Sequence, residues 1–347
     1  MTGAAATGPP SPRRGDPSGR LTVGERVVVR YLLPPGSEAG ATDVLGMLRS
    51  RDEQSLVVDS AFGPVTIPRR AVVAAKDVPP PPSRPGPAHR RVGVDDLELL
   101  MARGWVAVDQ AGLGSWLLRS ASSFTSRANS ALPVGDPSLP LDRAVDYVER
   151  WYGERGRRPM FQLPGPAGFE PADTEVGAQL LERGYAVPAA HAGRHVHVMT
   201  APLGALPPLT AASPPVTADA RLQSDWLIAY GESRHVVPGV TESVLTGSRG
   251  QLFMSVRDDT GGRLVGIARM AIHPGWAGIF GLWVRPEHRR RGVATAIVSA
   301  IGMAARDNNM PSLYAQVSGA DAGAVAFWQE FDFTTHHDYL YLAAAEG

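Results

Sequence analysis

The sequence contains no cysteine in 347 residues. This excludes a disulfide framework, a thiolate zinc site and a cysteine nucleophile, and it fits a reducing cytoplasm. Net charge is also missing: 34 Lys and Arg stand against 34 Asp and Glu, so no global field draws the chain onto nucleic acid or anionic lipid. No stretch approaches the roughly 18 consecutive apolar residues of a spanning helix. Residues 1–20 are rich in Ala, Gly, Pro and Ser but lack the apolar h-region of a secretory signal. They read as a disordered tail on a soluble, cytoplasmic chain without a membrane partner.

What is present is ordinary globular composition, 44% hydrophobic and 20% charged. The prolines are distributed unevenly. They crowd residues 79–87 and recur among small residues from Ala201 to Ala218, where lost amide donors and fixed φ favour extended spacers. The expected organisation is therefore a tail (1–20), a first folded segment (21–77), a linker (78–89), a second segment (90–202), a linker (203–219) and a third segment (220–347).

The first segment carries short apolar runs bounded by Gly, Pro or Asp, such as Glu25–Arg30, Asp43–Leu48, Ser55–Asp59 and Gly63–Pro68. About five short strands without helical period suggest a small antiparallel barrel of the SH3-like kind. The barrel has few aromatics for base stacking, mainly Tyr31 and Phe62, which argues against nucleic acid as its partner. The second and third segments share one ending: an amphipathic helix, a short strand, a helix closing on an aromatic, and a final strand. In the second these are the helix at Leu141, the strand at Phe161, residues 180–185 and His195–Met199. In the third they are the helix at Val293, the strand at Leu313, residues 327–333 and Tyr339–Leu342. A repeated fold is the economical explanation.

The chemistry concentrates in residues 282–294, a strand, a Pro-containing turn and a helix start. A helix N-terminus leaves backbone N–H groups unpaired and carries positive partial charge, which suits a pyrophosphate. Gly292 and Ala294 keep side chains out of the way, and the first turn, Val293 to Ala296, contains no carboxylate. At Val284, Pro286 and Arg289-x-x-Gly292-x-Ala294 the sequence resembles the GNAT superfamily of acyltransferases, over roughly residues 264–333. The resemblance implies that the backbone of Leu282, Trp283 and Val284 pairs with the pantetheine of acetyl-coenzyme A. It further implies that the loop Arg289, Arg290, Arg291, Gly292, Val293, Ala294, Thr295 holds the pyrophosphate. The downstream signature falls on Asp321, Phe327 and Trp328, which it places beside the same co-substrate.

The pattern departs from the family in two respects. Trp328 occupies the position where many relatives carry a tyrosine that protonates the departing thiolate, and an indole cannot do so. Tyr314 and Tyr339 are the alternatives, with Tyr339 the expected acid. The strand before the loop carries no glutamate, leaving Glu232 or His235 as general base by topology, with Glu232 the expected residue. The second segment lacks the Arg-x-x-Gly-x-Ala spacing, and its Asp136-Pro137 turn offers a phosphate neither clearance nor donors. His195 and His197 share one face of a strand as a conceivable metal pair, but no third ligand is evident and no metal is expected. Residues 116–130 resemble an actinobacterial group of tandem GNAT proteins with an SH3-like N-terminal domain. The resulting expectation is an α/β chain of tandem GNAT folds with a degenerate first copy. It would act as an N-acetyltransferase on a primary amine, by direct attack in a ternary complex between the copies, as a monomer or homodimer. The alternative is a non-catalytic acyl-coenzyme A sensor or scaffold.

Overall fold

Alternating burial along β-strands such as Arg26–Leu32 and Ser55–Ser60 shapes the N-terminal unit. The computed structural model describes residues 17–33, 40–60, 63–81, 83, 85–191, 195–258 and 262–345. The tail expected at 1–20 falls largely on residues 1–16, which lie outside the described residues, as does Phe62. The chain divides into two compact units, one within residues 1–80 and the other within 81–347.

In the first unit, β1 (Arg26–Leu32), β2 (Ala41–Arg51), β3 (Ser55–Ser60), β4 (Gly63–Pro68) and β5 (Val72–Asp77) form an antiparallel sheet of order β4-β3-β2-β1-β5. Val27, Val29, Val44, Leu48, Leu56, Val58 and Ile67 point to one side and make its core, as period-2 patterning requires.

The second unit begins with α1 (Ala88–Arg91) and α2 (Val94–Arg103), followed by the hairpin β6 (Asp109–Leu113) and β7 (Trp116–Ser120), α3 (Leu141–Gly153), β8 (Met160–Gly165), α4 (Glu175–Glu182) and β9 (Val196–Pro202). The third segment adds β10 (Thr217–Asp219), α5 (Ser224–Gly231), α6 (Val240–Thr246), β11 (Gln251–Arg257), β12 (Leu264–His273) and β13 (Trp276–Val284). It closes with α7 (Val293–Asp307), β14 (Ser312–Ser318), α8 (Ala322–Gln329) and β15 (Thr334–Ala343). The helix read at Val293 and the strands read at Leu313 and Tyr339–Leu342 are all present. Thr217–Asp219, at the end of the expected linker, pairs with β11.

The sheet order is β10-β11-β12-β13-β14-β9-β15-β8. The repeated endings are therefore interleaved. β9, the last strand of the second segment, pairs with β14 of the third, while β15, the last strand of the third, pairs with β8 of the second. The cores follow this exchange: Leu340 and Leu342 of β15 pack with Val145, Val148, Tyr152, Phe161 and Leu163 from α3 and β8. Leu342→Ala should therefore lower stability by about 2–5 kcal/mol, the usual cost of a buried Leu-to-Ala cavity, and urea unfolding would show it. β12 is buried along almost its whole length, with Ile267 and Ala271 facing the α5–α6 side and Val265, Ala268 and Met270 facing α7.

A buried polar chain also joins the segments. Arg119 Nη2 donates to Gln162 Oε1 at 3.0 Å, Gln162 Nε2 donates to Glu98 Oε2 at 2.8 Å, and His337 Nε2 lies 2.9 Å from Glu98 Oε1. Satisfied networks of this kind hold one register rather than several.

Candidate active site

The site originates where β13 leaves β14. Their parallel ladder covers only Trp276–Ile279 against Ser312–Ala315. Immediately afterwards Gly281 takes φ +63°, and the register against β12 slips between Ile267 and Arg269, the mark of a bulge. Glycine is required for that φ at little cost. Beyond the bulge Gly281, Leu282 and Trp283 become half-buried, and the β14-side edge of this stretch has no strand neighbour among the described residues. On that stretch, Arg234 Nη2 donates to the Leu282 carbonyl at 3.3 Å and Arg289 Nε to the Val284 carbonyl at 3.1 Å.

The strand runs through a 3-10 turn, Pro286–His288, into α7. Arg290 (φ +59°) and Gly292 (φ +75°) are both left-handed, so the chain turns sharply as it enters the helix. Gly292 is the N-cap of α7, without a side-chain cap or an acidic residue in the first turn. A Cβ built on Gly292 would meet no heavy atom within 4 Å, so the ground before these amides is open. Val293, Ile297, Ile301 and Ala305 anchor the helix in the core, while Arg289, Arg290, Arg291 and Thr295 are exposed and Ala294 is half-buried. The equivalent helix of the second segment, α3, differs at each point. Its N-cap is Pro140, Asp142 lies in its first turn, and Asp136 Oδ1 accepts from the Ser138 amide at 2.7 Å.

The downstream residues are placed differently. Asp321 caps α8, its Oδ1 accepting from the Ala324 amide at 2.9 Å. Trp328 is buried in the core with Phe331, and its ring lies 5.3 Å from Phe327 and 4.9 Å from Phe333. Tyr314 is sealed beneath the sheet, 3.0 Å from His273 Nε2. Burial, assisted by the nearby Arg269 and Arg103 charges, pushes His273 down to about 3. Because the unfolded imidazole titrates near 6.5, the folded protein binds fewer protons between those values. Stability from keeping His273 neutral is thus complete above about pH 6.5 and is lost as pH falls toward 3, on the order of 5 kcal/mol. Measured by urea unfolding across this range, His273→Gln should show a shallower acid slope than the native chain.

Beside the splayed strands lies a cavity of about 670 Å³. β13 contributes Ile279, Phe280 and Gly281, β14 Gln316 and Ser318, and β15 Tyr339 and Tyr341; the second segment supplies Trp105, Ser123, Thr125, Ser126, Arg127 and His191. Tyr339, fully buried as a residue, donates to Gln316 Oε1 at 3.1 Å and accepts from Arg127 Nη2 at 3.1 Å. His235 Nε2 stands 3.3 Å from Ser123 Oγ, and His191 Nε2 is 2.9 Å from Ser126 Oγ.

Of the two expected catalytic residues, the cavity holds Tyr339 and not Glu232. The Glu232 carboxylate forms a short ion pair with the Arg285 guanidinium and lies 3.7 Å from Arg263. The hydrogen bond from Arg285 holds it below the usual carboxylate range, so it is a weaker base than a free glutamate. Arg127 and Gln316 were not singled out by sequence reasoning. Arg127 stood in the stretch quoted for the tandem resemblance, but a lone arginine in a Ser-rich loop gives no local sign of what it faces. His195 and His197 do not converge: His195 Nε2 lies 2.8 Å from the Phe169 carbonyl and His197 Nδ1 2.7 Å from Asp338 Oδ1. Among the described residues no group of three or more His, Asp or Glu could hold a metal ion, and no helix is long and apolar enough to cross a membrane.

Comparison with known proteins agrees with this architecture. Residues 93–342 match the family model described as "Probable histone acetyltransferase Rv0428c C-terminal", and residues 21–76 match "Rv0428c N-terminal Sm-like domain". The small N-terminal β domain expected as SH3-like is present, and the family model describes it more closely as Sm-like. The chain is 30% identical over 156 residues to the "Probable histone acetyltransferase Rv0428c" of Mycobacterium tuberculosis, covering 44% of this chain and 47% of that protein. The match thus spans about half the length of that curated relative. Among solved structures, the chain is similar to a GCN5-related N-acetyltransferase from Kribbella flavida, with TM-score 0.52, 15% identity, and coverage of 74% of this chain and 97% of that one. It is also similar to a tandem GNAT protein from the clavulanic acid biosynthesis pathway, with TM-score 0.51, 12% identity, and coverage of 76% and 91%. At these identities the likeness shows the fold, a tandem GNAT arrangement.

Proposed function

The chain belongs to the family described as "Probable histone acetyltransferase Rv0428c C-terminal", and from that premise we propose that it is an N-acetyltransferase, moving the acetyl group of acetyl-coenzyme A directly to a primary amine. The observation that carries the reading is the segment 279–293. At one end it lines a cavity of small-molecule size, and at the other it ends in an uncapped helix N-terminus with open space before Gly292.

The residues fit the co-substrate. Backbone amides from Arg290 to Thr295 would bind the pyrophosphate, and the stretch Leu282–Val284, which among the described residues lacks a strand neighbour on its β14 side, would pair with the pantetheine amides. Phe327 and Asp321 would border that arm, while Trp328 supports it from the core. Acetyl-coenzyme A, when bound, supplies a thioester carbonyl carbon for attack and a thiolate leaving group. Of the tyrosines lining the cavity, Tyr339 is the one we assign to deliver a proton toward that sulfur. Among the described residues no Asp or Glu lines the cavity, so the proton released by the attacking amine passes to His235 or His191 rather than to Glu232.

Calorimetry with acetyl-coenzyme A, together with thiol release over an amine panel, tests the reading. Saturable binding with amine-dependent release supports it. Binding without turnover for every amine favours a sensor or scaffold, and absence of binding defeats both.

A further inference from the structure

We propose that the acceptor carries a carboxylate in the same molecule as its amine, and that Arg127 binds this carboxylate inside the cavity. The inference rests on the acetyl-transfer reading, which makes the cavity the acceptor's place.

Arg127 is a cation without an anion. Its Nη2 is used by the Tyr339 hydroxyl, but its Nε is buried and makes no hydrogen bond, and among the described residues no carboxylate lies within ion-pair distance. The same is true of the nearest amide: Gln316 Oε1 accepts from Tyr339, while Gln316 Nε2 is buried and unpaired. Buried donors almost always have partners, and a desolvated charge without one is costly. Two orphaned donors joined through a single tyrosine therefore mark a place for an acceptor group from a ligand.

The chemistry of that group follows from its surroundings. The guanidinium carbon lies 5.8 Å from the ring centroids of both Trp105 and Phe280, which wall in the planar fork. A fork of this kind matches the two oxygens of a carboxylate. The rest of the lining adds Arg234, His191 and His235 and, among the described residues, contributes no acidic residue. Such a cavity repels a purely cationic acceptor and accepts an amine whose own carboxylate offsets the field. An amino acid or a peptide presenting a terminal carboxylate beside its amine fits, whereas an internal lysine of a basic tail does not.

The test uses the full chain and matched acceptors: the common amino acids, their C-terminal amides, and a lysine-rich histone-tail peptide. With acetyl-coenzyme A saturating, the best acid should exceed its own amide in kcat/KM by at least about 100-fold, short of the roughly 10⁴–10⁵-fold of a wholly lost polar contact because the amide keeps a carbonyl that can still accept. Arg127→Gln should collapse that ratio to within a few-fold, and Arg127→Lys should leave an intermediate ratio. Thermal shift with the best amino acid and its amide, without acetyl-coenzyme A, reads the same preference when no turnover occurs. A preference seen in thermal shift and lost in Arg127→Gln keeps the carboxylate site even if acetyl transfer fails. Amides or the histone-tail peptide serving as well as acids overturn the inference while leaving acetyl transfer intact. A ratio undiminished in a folded Arg127→Gln also overturns it. If that variant does not fold, the Arg127→Lys ratio decides: an unchanged ratio overturns the inference and a diminished one supports it.

Discussion

Gly292→Asp should weaken acetyl-coenzyme A binding by at least about 100-fold while the protein stays folded. The position takes φ +75°, and an added Cβ meets nothing within 4 Å. Asp tolerates the left-handed region better than most residues, so the fold should bear the change at a cost of about 1 kcal/mol. The new carboxylate would occupy the open ground before the α7 amides and repel the pyrophosphate. Two unit charges about 4 Å apart at an effective dielectric near 20 interact by roughly 4 kcal/mol, more than the ~2.7 kcal/mol of a 100-fold loss. Gly292→Asn separates charge from shape, because it matches the carboxylate in size and left-handed tolerance but not in charge. Calorimetry should show a much smaller loss for Asn than for Asp. Equal affinity in native chain and Asp variant would remove the loop from the binding site.

The features legible in the sequence were those with a local cause. Residues 293–307 announced α7 because Val293, Ile297 and Ile301 recur at helical spacing after a Gly N-cap. The strands of the third segment carried the long apolar runs of a sheet covered on both faces. What lacked a local cause was not legible. Val198 and Met199 are buried whether β9 lies beside its own segment or between β14 and β15, so the pattern of β9 says nothing about its neighbours. α6 went unread because a seven-residue stretch rich in Val and Thr lacks helical propensity and is held by packing. In the site, Arg127 and Tyr339 stand 212 positions apart and meet through the exchanged strand. Loss of an expected residue had a comparable origin: Glu232 follows the first helix as anticipated, but Arg285, whose burial requires a counterion, takes its charge.

Tyr339→Phe should lower kcat by about 100-fold and leave acetyl-coenzyme A affinity nearly unchanged. The substitution removes only an oxygen, and the ring keeps its place against Tyr341, 5.6 Å away. Two hydrogen bonds are lost, to Gln316 and from Arg127, so stability should fall by about 1–3 kcal/mol. Loss of a general acid ordinarily costs 10² to 10⁴ in rate. The lower end applies here because a thiol titrating near 8.5 leaves tolerably unaided. A proton-donor role lowers kcat for every acceptor, whereas a role confined to holding Arg127 in place would raise KM for carboxylate-bearing acceptors and spare kcat. Trp328→Tyr supplies the contrast. A hydroxyl at that position would sit in the core among Phe327, Phe331 and Phe333, away from the cavity, so the rate should not rise even though tyrosine is what many relatives carry there. An increase would show that the α8 position reaches the sulfur. Unaltered rates in both variants would leave the thiolate departing without a protein acid.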